Sequence, residues 1–181
     1  TSLTALRLAQ IFQEAELPPG VVNIITGAGA TGAALVNHPD INKLAFTGST
    51  DVGKLIAKSC AGTKKKLTLE LGGKAANILF EDAPLDQAVE GIVNGIYFNQ
   101  GHVCCAGSRL FVQEGVYAKV VKKLRDRIQT LRVGNPLDKN TDIGAINSRP
   151  QLEKIRELVQ SGVDEGAELT QTQCVLPAKG Y

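Results

Sequence analysis

The sequence predicts an α/β fold with parallel sheets. Short apolar runs bounded by glycine or proline alternate with segments in which apolar residues recur at helical spacing. Strands that alternate with helices favour parallel pairing, because a parallel connection needs a crossover element. The 181 residues are 43% hydrophobic and 21% charged, the composition of a globular protein with room for one domain or slightly more.

The first elements are set by apolar periodicity and by Gly/Pro breakers. Leucines and other apolar residues at helical spacing predict a helix over 2–16, which the Pro-Pro-Gly at 18–20 ends. The apolar run at 21–25 predicts a short buried strand, closed by the small residues of 27–30. A short helix over 31–36 follows.

The next elements surround two glycine-containing turns. We predict a strand over 43–47, a turn at 48–50 rich in Gly, Ser and Thr, and a helix over 51–60. A third strand is predicted over 66–71, and Gly72-Gly73 breaks it. The boundary between two lobes is predicted at this glycine pair.

The rest of the chain repeats the alternation. Strands are predicted over 76–80 and 108–112, on either side of a long helix over 85–99. An amphipathic helix is predicted over 116–131 and a last helix over 148–162, where Pro150 is allowed in the first turn.

Charge and apolar patterning argue against nucleic-acid and membrane partners. The formal net charge is only +2. No apolar stretch reaches the roughly 18 residues of a membrane-spanning helix, and the start at Thr1 lacks the features of a signal peptide. The chain contains no Met and ends at Tyr181 in a turn-like segment, so we expect an internal piece of a longer protein.

The cysteines indicate neither a metal site nor a disulfide. Cys60, Cys104, Cys105 and Cys174 form no CxxC pair, and adjacent cysteines are poorly placed for a disulfide. We therefore predict no bound metal and a reducing compartment, the cytoplasm.

Two glycine-containing turns are candidates for coenzyme binding. Residues 27–32 match GxGxxG, but the expected acidic partner is misplaced, and a simple tight turn is the favoured interpretation. Residues 46–53 form a strand, a turn and a helix start, where free N–H groups favour an anion. An ordinary Ser or Thr N-cap explains that pattern equally well.

Two further segments carry candidate catalytic residues. Glu70, at the end of an apolar strand, suits a general base whose surroundings raise its pKa, although a Glu paired with a lysine is the commoner case. Cys104 and Cys105 lie in a loop followed by small residues, which suits a nucleophile, although a free Cys is most often a small buried hydrophobe. A dyad of His102 with a cysteine is disfavoured.

Together these segments resemble the aldehyde dehydrogenase superfamily, over essentially the whole chain. Residues 46–53 resemble its coenzyme turn, 69–74 its glutamate motif and 99–109 its cysteine motif, while 3–6 and 18–24 also fit. The Gly-His-Val-Cys-Cys of 101–105 is most similar to family 16 and its bacterial relatives.

The resemblance implies parts of two Rossmann-like parallel-sheet lobes. Residues 1–73 would be the C-terminal part of a coenzyme-binding domain, and 74–181 the N-terminal part of a catalytic domain. Cys104 would be the nucleophile and Glu70 the general base. NAD or NADP would contact residues of the coenzyme turn and its surroundings, namely Gly48, Ser49, Thr50, Asp51, Val52, Gly53, Gly27 and Leu71. Gly27 would flank the adenine end rather than the main phosphate turn.

The implied reaction oxidises a small-molecule aldehyde to a carboxylic acid through a thiohemiacetal and a thioester on Cys104. The oxyanion would be held by the Cys104 N–H and by an Asn outside this sequence. Family parts that contact the coenzyme ribose groups, and the strand that forms homodimers or homotetramers, are also missing. We therefore expect the isolated 181 residues to reduce no detectable NAD with an aldehyde.

Two other classes of function compete with this expectation. In a non-catalytic relative the fold would serve assembly or binding, which the intact Cys104 and Glu70 argue against. A bare dinucleotide-binding module would leave the cysteine loop unexplained. The aldehyde and the choice between NAD and NADP stay open.

Overall fold

The computed structural model describes residues 2–181 and divides the chain into two compact units. One unit comprises the residues up to Leu71, and the other is Gly72–Tyr181. Thr1, the first residue of the predicted coenzyme-binding domain, lies outside the described residues. Each unit contains a pair of parallel strands joined through a helix. The predicted α/β class is therefore confirmed.

The described residues of the first unit form three helices and one strand pair. Its elements are α1 (Ser2–Glu14), α2 (Gly29–Asn37), β1 (Lys43–Gly48), α3 (Thr50–Cys60) and β2 (Lys66–Leu71). Strands β1 and β2 pair in parallel from Lys43↔Lys66 to Gly48↔Leu71. Helix α3 connects the two strands, and its Ile56 and Cys60 are buried. The carboxyl ends of both strands therefore meet at one edge, where α3 begins.

The predicted strand at 21–25 is wrong. This segment is irregular, and its Val21 and Ile25 are 63% and 59% exposed. A strand needs a partner for its N–H and C=O groups. In the part of the chain that the structure describes, β1 pairs only with β2, and no strand offers an edge to 21–25.

The second unit is built on another strand–helix–strand arrangement. Its elements are β3 (Ala76–Leu79), α4 (Leu85–Tyr97), a 3₁₀ turn (Phe98–Gly101), β4 (Arg109–Val112), α5 (Glu114–Ile128) and α6 (Arg149–Asp164). Strands β3 and β4 pair in parallel from Ala76↔Arg109 to Leu79↔Val112. Leu79, Val116 and Val120 form a hydrophobic core cluster of this unit, where α5 packs against the sheet. The sheet thereby fixes both ends of the long segment between β3 and β4.

A closed loop follows α5. Val133 and Ile143 form an isolated bridge, and the Gly134 N–H donates to the Ile143 carbonyl oxygen at 3.0 Å. Asp142 accepts two hydrogen bonds from Arg132, one from the side-chain Nε at 3.1 Å and one from the backbone N–H at 2.9 Å. These bonds hold the pKa of the Asp142 carboxyl below its usual value.

This loop is expected to open in acid. Because the folded pKa of Asp142 is depressed, its stabilising contribution is complete above the unfolded pKa of about 3.9 and is lost as the pH falls through the folded pKa. Hydrogen exchange at Gly134 should therefore accelerate in that acidic range, beyond the intrinsic effect of pH. The Asp142→Asn variant should show faster exchange already at neutral pH. Asp126→Asn, which removes only an ion pair within α5, is the control; equal exchange in both variants would contradict the assignment.

Candidate functional site

The N-terminus of α3 carries most of the predicted coenzyme residues. Ser49 is the N-cap, and its Oγ accepts a hydrogen bond from the Val52 N–H at 3.3 Å. Ser49 is therefore an ordinary N-cap, but its side chain satisfies only one of the backbone N–H groups that lack an acceptor at the helix start. The N–H groups of Thr50 and Asp51 have no intrahelical acceptor at this position. The helix start can still receive an anion, and the exposed Asp51 carboxylate would have to point away from it.

The parallel register places the glutamate motif beside this turn. Gly48 lies opposite Leu71, and Thr47 lies opposite Glu70. A Cβ added to Gly53 would lie 2.6 Å from Cδ2 of Leu71. The glycine at 53 therefore lets α3 pack closely on the end of β2, which is a role in packing that the sequence pattern did not reveal.

Glu70 is exposed and points away from the apolar side of its strand. Burial alternates along β2, so the neighbouring Leu69 and Leu71 are part-buried on the opposite face. The predicted apolar surroundings of the carboxylate are therefore wrong for this chain. In residues 2–181 the carboxylate also makes no hydrogen bond or ion pair, so the structural pairing with a lysine is absent from the described part.

Of the three glycines in 27–32, one is tightly packed and two face open space. A Cβ on Gly27 would overlap the side chain of Thr31, in the first turn of α2. Cβ atoms on Gly29 and Gly32 would meet open space. No strand precedes them in the described residues, so the strand–turn–helix context of a dinucleotide fingerprint is not met here.

An apolar cavity of about 550 Å³ lies among α2, β1 and α3. Gly29 and Gly32 line it from α2, Phe46 from β1, and Val52 and Leu55 from α3. Val52 and Leu55 are 42% and 63% exposed, so the apolar lining is open to a ligand. Its size and lining suit a flat apolar ring, and Val52 in the first turn of α3 is part of the lining.

The cysteine segment forms a tight turn. The Ala106 N–H donates to the Val103 carbonyl oxygen at 3.0 Å, so Cys104 and Cys105 are the central residues of the turn. Both are exposed, whereas Ala106 is 6% exposed. Among the described residues, no acceptor is present for the N–H groups of Cys104 and Cys105. The turn thus presents a thiol and free N–H donors together.

Three hydrogen bonds anchor the chain just after this turn. The Gly107 N–H donates to the Gly95 carbonyl oxygen of α4 at 3.2 Å, and Asn77 Nδ2 of β3 donates to the Gly107 carbonyl oxygen at 3.1 Å. A Cβ on Gly107 would overlap the Asn77 amide. Arg109 Nε donates to the Lys74 carbonyl oxygen at 2.8 Å. The cysteine turn is therefore anchored by partners outside the motif, namely Gly95, Asn77 and Lys74.

Asn77→Ala is expected to loosen the turn. The Gly107 carbonyl loses its donor, which costs about 1 kcal/mol for a part-buried hydrogen bond. Hydrogen exchange should report faster opening at 103–108 than in the wild type. Asn94→Ala, at an exposed position of α4, is the matched control; unchanged exchange at 103–108 in Asn77→Ala would contradict the role.

His102 does not form a dyad with a cysteine. Its Nε2 lies 3.2 Å from Nε2 of Gln151 on α6, so the amide donates to the ring nitrogen. Within residues 2–181 no hydrogen bond joins His102 to either neighbouring thiol. Cys60 is buried, and Cys174 is exposed in the C-terminal segment. The described residues contain no group of His, Cys, Asp and Glu able to hold a metal ion.

The structure thus groups the predicted residues by unit. Glu70, Leu71, the 48–53 turn and Gly27 all belong to the first unit, and Cys104 belongs to the second. Sequence reasoning missed Asn77, which donates to the Gly107 carbonyl oxygen just after the cysteine turn. In the part of the chain described here, no helix combines the length and apolarity required to span a membrane.

Comparison with known proteins gives one consistent result. A family model described as "Aldehyde dehydrogenase family" matches residues 1–181. Retinal dehydrogenase 2 of Rattus norvegicus is 49% identical over the whole chain, which spans 35% of that relative's length.

Solved structures agree in fold. The NAD-dependent aldehyde dehydrogenase from Sinorhizobium meliloti superposes with a TM-score of 0.92 at 43% identity, covering 94% of this chain and 34% of that one. A double mutant of betaine aldehyde dehydrogenase from Staphylococcus aureus, in complex with NAD⁺, superposes with a TM-score of 0.88 at 37% identity and covers 92% of this chain and 33% of that one. The expected resemblance of residues 101–105 to family 16 stays a prediction.

Proposed function

The chain belongs to the aldehyde dehydrogenase family, and we propose that the full-length protein containing it oxidises an aldehyde to a carboxylic acid with reduction of NAD or NADP. The observation that carries the proposal is the Cys104 turn, which presents an exposed thiol beside free N–H groups and is anchored just after Ala106. A degenerate scaffold has no need of such an arrangement.

The first unit is proposed as part of the coenzyme-binding domain and the second as part of the catalytic domain. The N–H groups of Thr50 and Asp51 would hold the coenzyme pyrophosphate, helped by the α3 dipole. The apolar cavity beside Val52 would take the adenine ring. Gly48 and Ser49 would border the phosphates, Gly27 would flank the adenine end, and Gly53 with Leu71 would keep α3 in place.

Cys104 performs the first step. Its thiolate attacks the aldehyde carbon, a C–S bond forms, and the π electrons of the carbonyl move to oxygen. The N–H of Cys104 donates to that oxyanion, and the family resemblance adds an Asn side chain from outside this sequence. A thiolate suits the step because it is strongly nucleophilic and later becomes a leaving group.

The oxidation converts this thiohemiacetal to a thioester on Cys104. When bound, NAD or NADP supplies the acceptor for the hydride that leaves the carbon. The protein contributes position, because the anchored turn fixes the sulfur to which the reacting carbon is bonded.

Glu70 performs the last step. Its carboxylate takes a proton from water, the water oxygen attacks the thioester carbon, and the C–S bond breaks to release the acid and the Cys104 thiolate. The exposed carboxylate without a partner in the described chain supports this assignment, because no ion pair must be broken first.

We also propose a substrate class, an oligomeric state and a cellular compartment for the full-length protein. The substrate is a small-molecule aldehyde, and the full-length protein is proposed to form homodimers or homotetramers, which light scattering during gel filtration measures. The described cysteines are unpaired. This supports a reducing compartment and hence the cytoplasm.

Site-resolved alkylation of the full-length protein tests the proposal. Peptide mass gives the rates at Cys60, Cys104, Cys105 and Cys174 near neutral pH, with and without NAD⁺. We expect Cys104 to react at least about fivefold faster than Cys174, as an activated thiolate does, and NAD⁺ to change only the Cys104 rate. Equal rates at the three exposed cysteines, unaffected by NAD⁺, would overturn the proposal.

A further inference from the structure

The segment before the nucleophile turn has an unusual backbone. Asn99, Gln100 and Gly101 have φ values of +49°, +55° and +74°, so three consecutive residues are left-handed. Glycine adopts this conformation freely, but glutamine rarely does. Such a run persists only where surrounding contacts hold it.

The Gln100 side chain supplies those contacts. The amide orientation that satisfies its neighbours lets the oxygen accept from the Gly144 N–H at 3.1 Å. The nitrogen then donates to the Asn99 carbonyl oxygen at 3.0 Å and to Asn99 Oδ1 at 3.2 Å. Gln100 is part-buried, so these bonds are partly shielded from water.

The absence of a side chain at Gly144 lets the Gln100 amide approach its backbone. A Cβ at Gly144 would lie 3.3 Å from the end of the Gln100 amide and 3.8 Å from Cβ of Pro136. Gly144 directly follows the bridged residue Ile143, so its N–H is held in place by the closed loop. The amide therefore joins the left-handed segment to a fixed point far along the chain.

The same segment leads directly into the nucleophile turn. The His102 N–H donates to the Asn99 carbonyl oxygen at 3.0 Å, and Asn99 Nδ2 donates to the His102 carbonyl oxygen at 3.2 Å. Val103 then begins the turn that carries Cys104. A change in the backbone at Gln100 would therefore be passed to Cys104 through the hydrogen-bonded residues 99–102.

We propose that Gln100 is a positioning residue for Cys104: its amide locks the left-handed segment against Gly144 and thereby fixes where the thiolate points. This inference rests on the proposed function, since it concerns the same nucleophile. Gln100 acts through the backbone and contacts no reacting atom. Misplacement of a nucleophile by about 1 Å can cost a hundredfold in rate, so a loosened segment has a measurable effect.

The test compares two substitutions in the full-length protein. Gln100→Ala and Gln100→Gly both remove the amide, but glycine accepts the left-handed backbone without cost. We expect both variants to lower kcat and the Cys104 alkylation rate by about tenfold, with the KM for NAD⁺ changed less than about twofold. Gln160→Ala is the matched control, because that amide bonds only to Asp164 on the same exposed helix.

Either of two results would overturn the proposal. Wild-type kcat in Gln100→Gly would mean that the backbone conformation alone matters, and wild-type kcat in Gln100→Ala would mean that the segment needs no brace. Gln100→Glu keeps the acceptor for the Gly144 N–H and loses the donors to Asn99. Its second carboxylate oxygen faces the two Asn99 oxygens instead, so we expect kcat to stay about tenfold below wild type and the unfolding midpoint to be no higher than that of Gln100→Ala. Wild-type kcat in Gln100→Glu would show that the donors to Asn99 are not needed and would count against the proposal.

The alkylation rate separates this inference from the proposed function. If the wild type oxidises no aldehyde, the proposed function fails, yet slower Cys104 alkylation in both Gln100 variants would still support the brace. If the wild type is active and Cys104 is alkylated at the wild-type rate in both variants, the positioning role of Gln100 is rejected and the proposed function stands.

Discussion

Cys104→Ser in the full-length protein is expected to lower kcat/KM for aldehyde oxidation by at least about a thousandfold. A serine hydroxyl ionises far less readily than a thiol, so the attacking anion is almost absent near neutral pH. The substitution changes one atom on an exposed side chain, and the unfolding midpoint should not move. Steady-state formation of reduced coenzyme measures the effect.

Cys105→Ser is the matched control for this prediction. Cys105 is the other central residue of the same turn and is also exposed. We expect its kcat/KM to stay within about threefold of wild type. Full activity in Cys104→Ser would favour the non-catalytic alternative or another nucleophile, and equal losses at both positions would indicate that the turn, rather than one thiol, is needed.

Glu70→Gln is expected to lower the steady-state kcat by about a hundredfold while leaving the first turnover intact. Glutamine keeps the shape of the side chain but cannot take a proton from water, so only hydrolysis of the thioester slows. Rapid mixing with aldehyde and NAD⁺ should show a burst of reduced coenzyme close to one per active site, followed by a slow phase.

Glu153→Gln on the exposed face of α6 is the control for the loss of a carboxylate. We expect wild-type kcat and no change in burst amplitude. A Glu70→Gln protein without a burst would place the defect before the thioester, and a wild-type kcat would assign the base elsewhere.

Local patterns were sufficient to predict most of the fold. The bounds of β2 match the predicted 66–71, because a breaker pair and alternating burial both mark them. The strand predicted at 21–25 is absent, since an apolar run does not reveal whether a neighbouring strand is available to pair with it. The helix predicted over 85–99 ends at Tyr97 and continues as a 3₁₀ turn to Gly101. Asn99 and Gly101 tolerate left-handed backbone, but nothing local marks Gln100 for it.

The segments that form the candidate site were predictable from sequence motifs, whereas the residues that support them were not. The motifs of 46–53 and 99–109 led to the α3 start and the cysteine turn. The anchors just after that turn come from Asn77, Gly95 and Lys74, which reach it only through tertiary contacts. The surroundings of Glu70 were mispredicted, because a strand sends an acid and its apolar neighbours to opposite faces.

The most direct measurement is the mass of the peptide carrying Cys104 after acid quench of full-length Glu70→Gln mixed with aldehyde and NAD⁺. We expect an acyl adduct, heavier by the aldehyde less two hydrogen atoms, localised to Cys104 by fragment ions and absent without NAD⁺. Formation of reduced coenzyme with no adduct on Cys104, or with the adduct on Cys105, Cys60 or Cys174, would contradict the assignment of Cys104 as the nucleophile.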